Sequence, residues 1–173
     1  MIVRRARRRL SAALLLLGLA VAGWLGWQGG LLPGPGGPDL QGQATVVDGD
    51  TLVVEGRRVR LEGIDAPEAR QTCLRNGAPW PCGAEATRAL RDLLEAGSIA
   101  CVASGEDRYR RVLARCHLGG TDIAAWLVRE GWAVAYTRYS WRYMRQEVGA
   151  RWAGRGIWSG SFETPEDWRR HAR

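Results

Sequence analysis

Alternating apolar and polar positions predict five short strands from residue 44 onward. Apolar and β-branched residues recur at every second position over residues 44–47, 51–54, 57–64, 99–103 and 112–118. A period of two is that of a half-buried β-strand. The last two segments flank a short polar loop, which is typical of an antiparallel hairpin.

A period near 3.6 predicts three helices, over 84–96, 121–131 and 141–153. Gly97 and Gly131 follow the first two helices as stop signals. Five strands interrupted by one helix and followed by two more indicate an α+β protein. The most economical closed form is a five-stranded OB-fold β-barrel with three helices packed against it.

An uncharged apolar run over 10–27 follows five arginines within the first nine residues. About 18 such residues can just span a bilayer, with the arginines on the cytoplasmic side. The A-x-A pattern Ala20–Ala22 also allows cleavage by a signal peptidase. We therefore expect residues 1–27 to be a membrane anchor or a signal peptide. A buried helix of a soluble domain is disfavoured, because a core has no place for the five arginines.

The Gly- and Pro-rich residues 28–43 are expected to be a linker. The following domain then lies outside the cytoplasmic membrane, either tethered to it or secreted or periplasmic after cleavage. The formal charge of +7 changes this picture little. Without the five N-terminal arginines, 20 arginines remain against 18 acids, a net charge of +2. Charge alone therefore does not identify a partner.

Four cysteines agree with export, since an even number in an exported domain favours two disulfides. In the predicted hairpin, pairing Ala103 with Ala114 places Cys101 opposite Cys116, at a distance that a disulfide can bridge. Cys73 and Cys82 then close the loop between them. A zinc site is the alternative. It is disfavoured because the spacings lack C-x-x-C and the two histidines are poorly placed.

Acidic residues cluster where the first three strands end. Asp48 and Asp50 lie in "VVDGDTLVV", between the first two strands, and Asp65 and Glu68 follow the third in "RLEGIDAPE". A simple Asp-Gly turn accounts for Asp48 but less easily for Asp50. If the three strands are neighbours, these carboxylates converge, and hard oxygen ligands of this kind suit calcium.

Arginines come from two separate segments. Arg60 alternates with apolar neighbours and is expected to project out of the core toward the acids, so that its replacement leaves the fold intact. The loop "EDRYRRVLA" adds Arg108, Tyr109 and Arg111. Taken singly, each is accounted for by a surface ion pair, as of Arg60 with Glu62, or by a solvated loop. Together with the acids they form an arrangement suited to phosphate.

Six segments resemble, in order and spacing, the staphylococcal nuclease (thermonuclease-like) family: "DGDT", "RLEGIDAPE", "GAEA", "DRYRRVLA", "LVREGWAVAY" and "GRGIW". The resemblance covers residues 44–158 and leaves a tail over 159–173. It implies the OB-fold barrel with three helices and a calcium-dependent nuclease acting on DNA, RNA or both. The implied catalytic residues are Arg60, Glu68 and Arg111; the implied calcium ligands are Asp50, Asp65 and the Ala66 carbonyl; Arg108, Tyr109 and Tyr136 are candidates for substrate binding.

Two positions and one loop depart from the family pattern. Arg110 stands where the family usually has glycine, which predicts an altered loop around Arg111. Ala66 replaces a threonine, a change of little consequence if only its carbonyl binds metal. The loop after Glu68 is closed by a disulfide instead of being rich in lysine.

Three hypotheses follow: a calcium-dependent hydrolase of nucleic acids, a catalytically weak nucleic-acid-binding module tethered to the membrane, and a membrane-tethered scaffold for another envelope protein. The presence of Arg60, Glu68 and Arg111 together favours the enzyme, since a pure binder does not need a carboxylate facing the phosphate. Nine tryptophans are compatible with the scaffold. However, Trp126, Trp132 and Trp152 fall on predicted core faces. We expect a monomer.

Overall fold

The computed structural model describes residues 39–172, in which a curled β-sheet is packed against helices. The strands are β1 (Leu40–Gly42), β2 (Ala44–Val46), β3 (Thr51–Val54), β4 (Arg57–Leu61), β5 (Ile64–Asp65), β6 (Cys73–Arg75), β7 (Ala78–Trp80), β8 (Ile99–Glu106), β9 (Val112–Leu118), β10 (Thr121–Asp122) and β11 (Val134–Ala135). The α-helices are α1 (Cys82–Leu94), α2 (Ile123–Arg129), α3 (Met144–Trp152) and α4 (Pro165–His171), with a 3₁₀ helix at Gly156–Ser159.

The main sheet contains all five predicted strand regions in the order β1-β8-β9-β4-β3-β2, and β10 pairs with β9. The consecutive strands β1 and β2 lie at opposite ends of this order. Between them the chain bends at Gly42, whose φ of 145° favours glycine. The α+β class is therefore confirmed, as a curled sheet. Residues 40–42, predicted to belong to the linker, form β1 instead, because their backbone pairs with β8.

The third predicted strand, over 57–64, is divided in two. β4 ends at Leu61, the chain turns at Gly63 with φ 81°, and β5 then pairs with β11. Gly63 accepts a backbone hydrogen bond from Tyr136 at 2.9 Å. This turn matters for the site because it folds Asp65 back toward Arg60 on the preceding strand.

The three predicted helices are present with shifted ends. α1 begins at Cys82, where Gly83 packs so closely that a Cβ would lie 1.7 Å from the Glu68 carbonyl oxygen. The side chain of Asp122 caps α2 by accepting from Ala125 N at 3.0 Å. The core position predicted for Trp152 is wrong. This residue is 93% exposed because it ends α3, a helix that buries Glu147 and Ala150 instead.

The main core lies between the sheet and the helices α1 and α2. It contains alternate residues of the strands and one face of each helix, among them Leu52, Val59, Leu61, Ile99, Leu90 and Leu127. Trp126 and Trp132 are partly buried against it, as predicted. Full burial of one such leucine or valine is worth about 1.5–3 kcal/mol. The site described below is thus built on rigid, buried strands.

Both predicted disulfides are present, and the 39–172 region has no free cysteine. Cys101 pairs with Cys116 in the predicted register of β8 and β9. Cys73–Cys82 joins the hairpin β6–β7 to the first residue of α1. The disulfide therefore fixes this hairpin beside the loop that carries Glu68.

Reduction of the disulfides is expected to lower the free energy of unfolding by about 3 kcal/mol for the loop closed by Cys101–Cys116, because the bond restricts the unfolded chain. The shift in the urea midpoint between oxidised and reduced protein measures it. The double variant Cys101→Ala/Cys116→Ala isolates this bond from Cys73–Cys82. Four free thiols in the denatured, unreduced protein would contradict both the pairing and the argument for export.

The predicted anchor or signal over 1–27 lies outside the described residues, as do the linker residues up to 38. Within residues 39–172, the helices are too short or too polar to cross a membrane. The tail folds back on the domain: Phe162 packs on Trp158 with ring centroids 4.8 Å apart, and α4 follows.

Candidate active site

The two aspartates in the turn before β3, Asp48 and Asp50, make different contacts. Asp48 Oδ1 accepts from Asp50 N at 3.1 Å, the turn-forming bond expected of an Asp-Gly turn. Asp50 instead faces inward and is 6% exposed. Its Oδ1 accepts from the Thr51 hydroxyl at 3.2 Å and its Oδ2 from Ala66 N at 2.9 Å. The simple turn thus accounts for Asp48 but not for the buried carboxylate of Asp50.

Arg60 lies between the two predicted metal ligands. Its Nη1 forms an ion pair with Asp50 Oδ2, and its Nη2 donates to Asp65 Oδ1 at 2.9 Å. The side chain of Arg60 is only 13% exposed and that of Asp65 1%. Burial lowers the pKa of the Arg60 guanidinium, while Asp65 opposes this shift, and an arginine remains charged. The predicted contact with the acids is confirmed, but Arg60 is buried among them.

Arg111 reaches the same cluster from the loop between β8 and β9. Asp107 Oδ2 accepts from Arg111 Nε at 2.8 Å, and Arg111 Nη1 lies 3.3 Å from the Thr51 hydroxyl oxygen. Burial would raise the pKa of Asp107, but hydrogen bonds from Arg111 and Tyr109 N hold it below its usual value. Thr51 therefore connects Arg111 to Asp50.

The loop around Arg111 keeps a conformation that glycine would adopt, although Arg110 occupies the glycine position. Arg110 adopts φ 64°, the left-handed conformation that glycine adopts readily. Arg110 N donates to the Asp107 carbonyl at 2.9 Å, which closes the turn. A side chain is therefore accommodated at the glycine position of the family.

Glu68 lies in a loop held on two sides, and its side chain is 34% exposed. Glu68 N donates to Gln71 Oε1 at 3.1 Å, while Gln71 N donates to the Glu68 carbonyl at 2.7 Å. Gln71 itself is fully buried, and α1 packs on the loop through Gly83. The carboxylate is thus held rigidly at the edge of the cluster, where solvent still reaches it.

A third arginine, which sequence reasoning missed, enters the site from α4. Arg169 Nη2 donates to Asp65 Oδ2 at 2.9 Å, and Arg169 Nη1 contacts Asp65 Oδ1 at 3.1 Å and Glu68 Oε1 at 2.7 Å. Burial would lower the pKa of Arg169, but the hydrogen bonds to Asp65 and Glu68 raise it above its usual value. No motif indicated this residue, which lies 104 positions beyond Asp65.

The candidate substrate-binding residues lie around this cluster. Tyr109 is 59% exposed, with the guanidinium of Arg108 4.9 Å from its ring centroid and that of Arg111 at 5.5 Å. Tyr136 is half-buried, and its ring lies 5.0 Å from that of Tyr139. Burial, then Glu166 and Asp65, raise the pKa of the Tyr136 phenol.

The fold thus gathers all six residues predicted for catalysis and metal binding: Arg60, Glu68, Arg111, Asp50, Asp65 and Ala66. Residues 39–172 contain no group of three His, Cys, Asp or Glu that suits a metal. The buried carboxylates of Asp50 and Asp65 and the Ala66 carbonyl are nevertheless hard oxygen donors of the kind that calcium takes, with water completing its shell. Arg60 pairs with both carboxylates and Arg169 with Asp65, so a bound cation would displace or share these contacts. The residues fit calcium.

Comparisons with known proteins agree with this geometry. The model of the family "Staphylococcal nuclease homologue" matches residues 58–160. "Succinoglycan biosynthesis protein ExoI" of Rhizobium meliloti (strain 1021) is 40% identical over 126 residues, covering 70% of this chain and 66% of that protein. An "Uncharacterized endonuclease" of Haemophilus influenzae is 32% identical over 136 residues, 74% of this chain and 71% of its own.

A plant relative, "Probable staphylococcal-like nuclease CAN1" of Oryza sativa subsp. japonica, is 30% identical over 128 residues. The match covers 72% of this chain but 36% of that protein. The fold and the site define an α+β domain of the staphylococcal nuclease type, which spans 66% of the Rhizobium relative and 36% of the rice relative. The chain belongs to the staphylococcal nuclease homologue family.

Proposed function

We propose that this protein is a calcium-dependent nuclease that hydrolyses phosphodiester bonds of DNA, RNA or both. The observation that supports it is Arg60, held between the buried carboxylates of Asp50 and Asp65. With calcium bound to Asp50 and Asp65, the ion and the Arg60 guanidinium would lie side by side. Both positive charges could then contact the oxygens of one phosphodiester group. Glu68 and Arg111 flank this pair.

Asp50, Asp65 and the Ala66 carbonyl would hold the calcium ion. When bound, calcium supplies Lewis-acid stabilisation of charge on the phosphate oxygens. The hydrogen bonds of Asp50 to Thr51 and Ala66 keep its carboxylate oriented toward this position. Asp65 is held by the short strand β5, which pairs with β11.

The remaining side chains take separate roles. Glu68 acts as the general base on the attacking water, for which its partly exposed carboxylate is suited. The guanidinium groups of Arg60 and Arg111 donate to the phosphate oxygens as negative charge builds up on them. Asp107 and Thr51 keep Arg111 in place, so its contribution needs little reordering during the reaction.

Exposed and half-buried aromatic groups and a cation beside the site suit a nucleic-acid chain. Tyr109 and Tyr136 offer ring faces on which bases can stack, and Arg108 adds positive charge near the backbone. These groups support a single-stranded or locally opened substrate, because only an unpaired base exposes its face.

The protein is further proposed to act outside the cytoplasmic membrane. Two disulfides in a small domain favour an oxidising compartment. The apolar run over 10–27 after the N-terminal arginines supports export, with retention in the membrane or release after cleavage as the two outcomes.

Cleavage of labelled single-stranded DNA by the full-length protein is expected in calcium, to be lost in excess chelator, and to return when calcium is restored. Asp65→Asn should need more calcium for the same rate, because one charge of the ligand set is gone. The matched control is Asp92→Asn, on the exposed side of α1, which should behave as wild type. Cleavage that persists undiminished in chelator would exclude calcium dependence.

A further inference from the structure

The C-terminal segment 159–172 brings an additional cation to the site. α4 begins after Thr164, whose hydroxyl accepts from Asp167 N at 3.2 Å, and has Pro165 in its first turn. From the last turn of this helix, Arg169 reaches Asp65 and Glu68. None of the six family segments extends to this helix, which follows residue 160, where the family match ends.

Several contacts hold the segment against the domain. Ser161 and Leu74 exchange two backbone hydrogen bonds, at 2.8 and 3.1 Å, so the tail continues the disulfide-closed hairpin β6–β7. Gln71 Nε2 donates to the Glu163 carbonyl at 2.7 Å. On α4, Glu166 pairs with Arg138 at 3.0 Å. The position of Arg169 is therefore part of a docked structure and not of a free arm.

Gln71 connects this docking to the site directly. Its side-chain oxygen binds Glu68 N and its side-chain nitrogen binds the tail at Glu163. One buried amide thus holds the loop with Glu68 and the segment with Arg169 in a fixed relation.

Arg169 donates hydrogen bonds to the carboxylate oxygens that the proposed reaction uses to bind calcium and to activate water. Both carboxylate oxygens of Asp65 accept from its guanidinium, and Glu68 Oε1 accepts a third contact. A cation bound by Asp65 requires at least one of those oxygens, and two cations so close together repel each other. A water activated by Glu68 competes in the same way for its carboxylate.

We propose that Arg169 is a built-in competitor of the metal, and that calcium binding displaces it from Asp65 and Glu68. This inference rests on the proposed function, since it assumes that Asp65 is a calcium ligand. In the docked state, Arg60 and Arg169 balance the charges of Asp50 and Asp65. Calcium binds only to the undocked fraction, so its apparent dissociation constant rises as that fraction falls. The tail thereby sets the calcium concentration at which the enzyme becomes active.

Calorimetric titration of the full-length protein in neutral detergent with calcium chloride tests the competition without measuring activity. Arg169→Gln keeps most of the side chain and removes the charge, and should bind calcium about tenfold more tightly than wild type, within the usual range of coupling between sites. Arg169→Lys keeps the charge but loses the two-pronged contact with Asp65, and should bind with intermediate affinity.

The matched control is Arg170→Gln. Arg170 is the next residue of α4, is exposed, and pairs with Asp167 within the same helix. Arg170→Gln changes the net charge by the same amount as Arg169→Gln. An equal gain in calcium affinity for both variants would show a general electrostatic effect and overturn the proposal.

Hydrogen exchange of the wild-type protein supplies a second measurement that needs no variant. Backbone amides of residues 166–171 should exchange faster in saturating calcium than in chelator, because displacement of Arg169 loosens α4. Unchanged exchange there would contradict displacement.

The outcomes separate this inference from the proposed function. Calcium binding that is equally tight in wild type and Arg169→Gln overturns the competition and leaves the nuclease proposal standing. If turnover then also falls in Arg169→Gln, Arg169 is a substrate-binding group instead. If no variant binds calcium, the calcium site is wrong, and the competition is overturned with it.

Discussion

Glu68→Gln is expected to lower turnover by about 10²-fold or more, as for other positioned proton-transfer groups. The glutamine has the same size, and the backbone hydrogen bonds between residue 68 and Gln71 remain, so the loop keeps its shape. What is lost is the basicity that removes a proton from the attacking water. Single-turnover cleavage of labelled DNA at saturating calcium measures the loss.

Substrate affinity should hardly change in the same variant, because Glu68 contributes to the reaction and not to binding. The control is Glu62→Gln, a half-buried glutamate near the end of β4 that lies 3.8 Å from Arg115 and makes no contact with Arg60 in the described residues. A binding module would show no turnover to lose and unchanged or tighter binding. Normal turnover in Glu68→Gln would disprove Glu68 as the base and leave the fold untouched.

The sequence carries most of the site because five of the six predicted catalytic and metal-binding residues lie within one short stretch, residues 50–68. Short-range periodicity fixes which side of β4 carries Arg60, and the turn chemistry of "DGDT" accounts for Asp48 and leaves Asp50 free for another role. The register of β8 and β9 follows similarly from the alternation of apolar positions. The Cys101–Cys116 bond was therefore predictable from the strand pattern alone.

Contacts between distant segments were not predictable in this way. Arg169 lies in a short helix with charged residues on both sides, and nothing in its local pattern distinguishes it from Arg170. Gln71 is equally inconspicuous as a polar residue in a loop, yet it is fully buried. Both residues make their long-range contacts only because the segment 159–172 packs on the β6–β7 hairpin. Such packing between distant segments leaves no periodic pattern in the sequence.

The expectation that replacement of Arg60 leaves the fold intact rested on its position outside the core. Alternation along β4 correctly placed it on the side opposite Val59 and Leu61. The sequence placed that side outside the core and toward the acids, and the turn at Gly63 and the loop before β3 bury it under Asp65 and Asp50. A strand face that periodicity marks as outward can therefore still be buried by its own connections.

Arg60→Ala is accordingly expected to lower both the stability of the fold and the turnover, for two different reasons. Without the guanidinium, Asp50 loses its cation and Asp65 retains only Arg169, so two buried carboxylates repel each other. Breaking a buried ion pair by removing one partner costs about 3–5 kcal/mol. Thermal unfolding in chelator measures this loss. Arg58→Ala is the matched control, since Arg58 lies on the same side of β4 but is exposed.

Calcium should restore much of the lost stability of Arg60→Ala, because a divalent ion between Asp50 and Asp65 replaces the missing positive charge. Turnover should nevertheless stay lower by about 10³-fold at saturating calcium, since the ion does not supply the guanidinium that binds the phosphate oxygens in the transition state. Arg60→Lys keeps one charge and is expected to recover stability better than rate, as its ammonium cannot contact two oxygens in the same geometry. If calcium restored stability and turnover together, Arg60 would be a structural counter-ion of the two aspartates and not a catalytic residue.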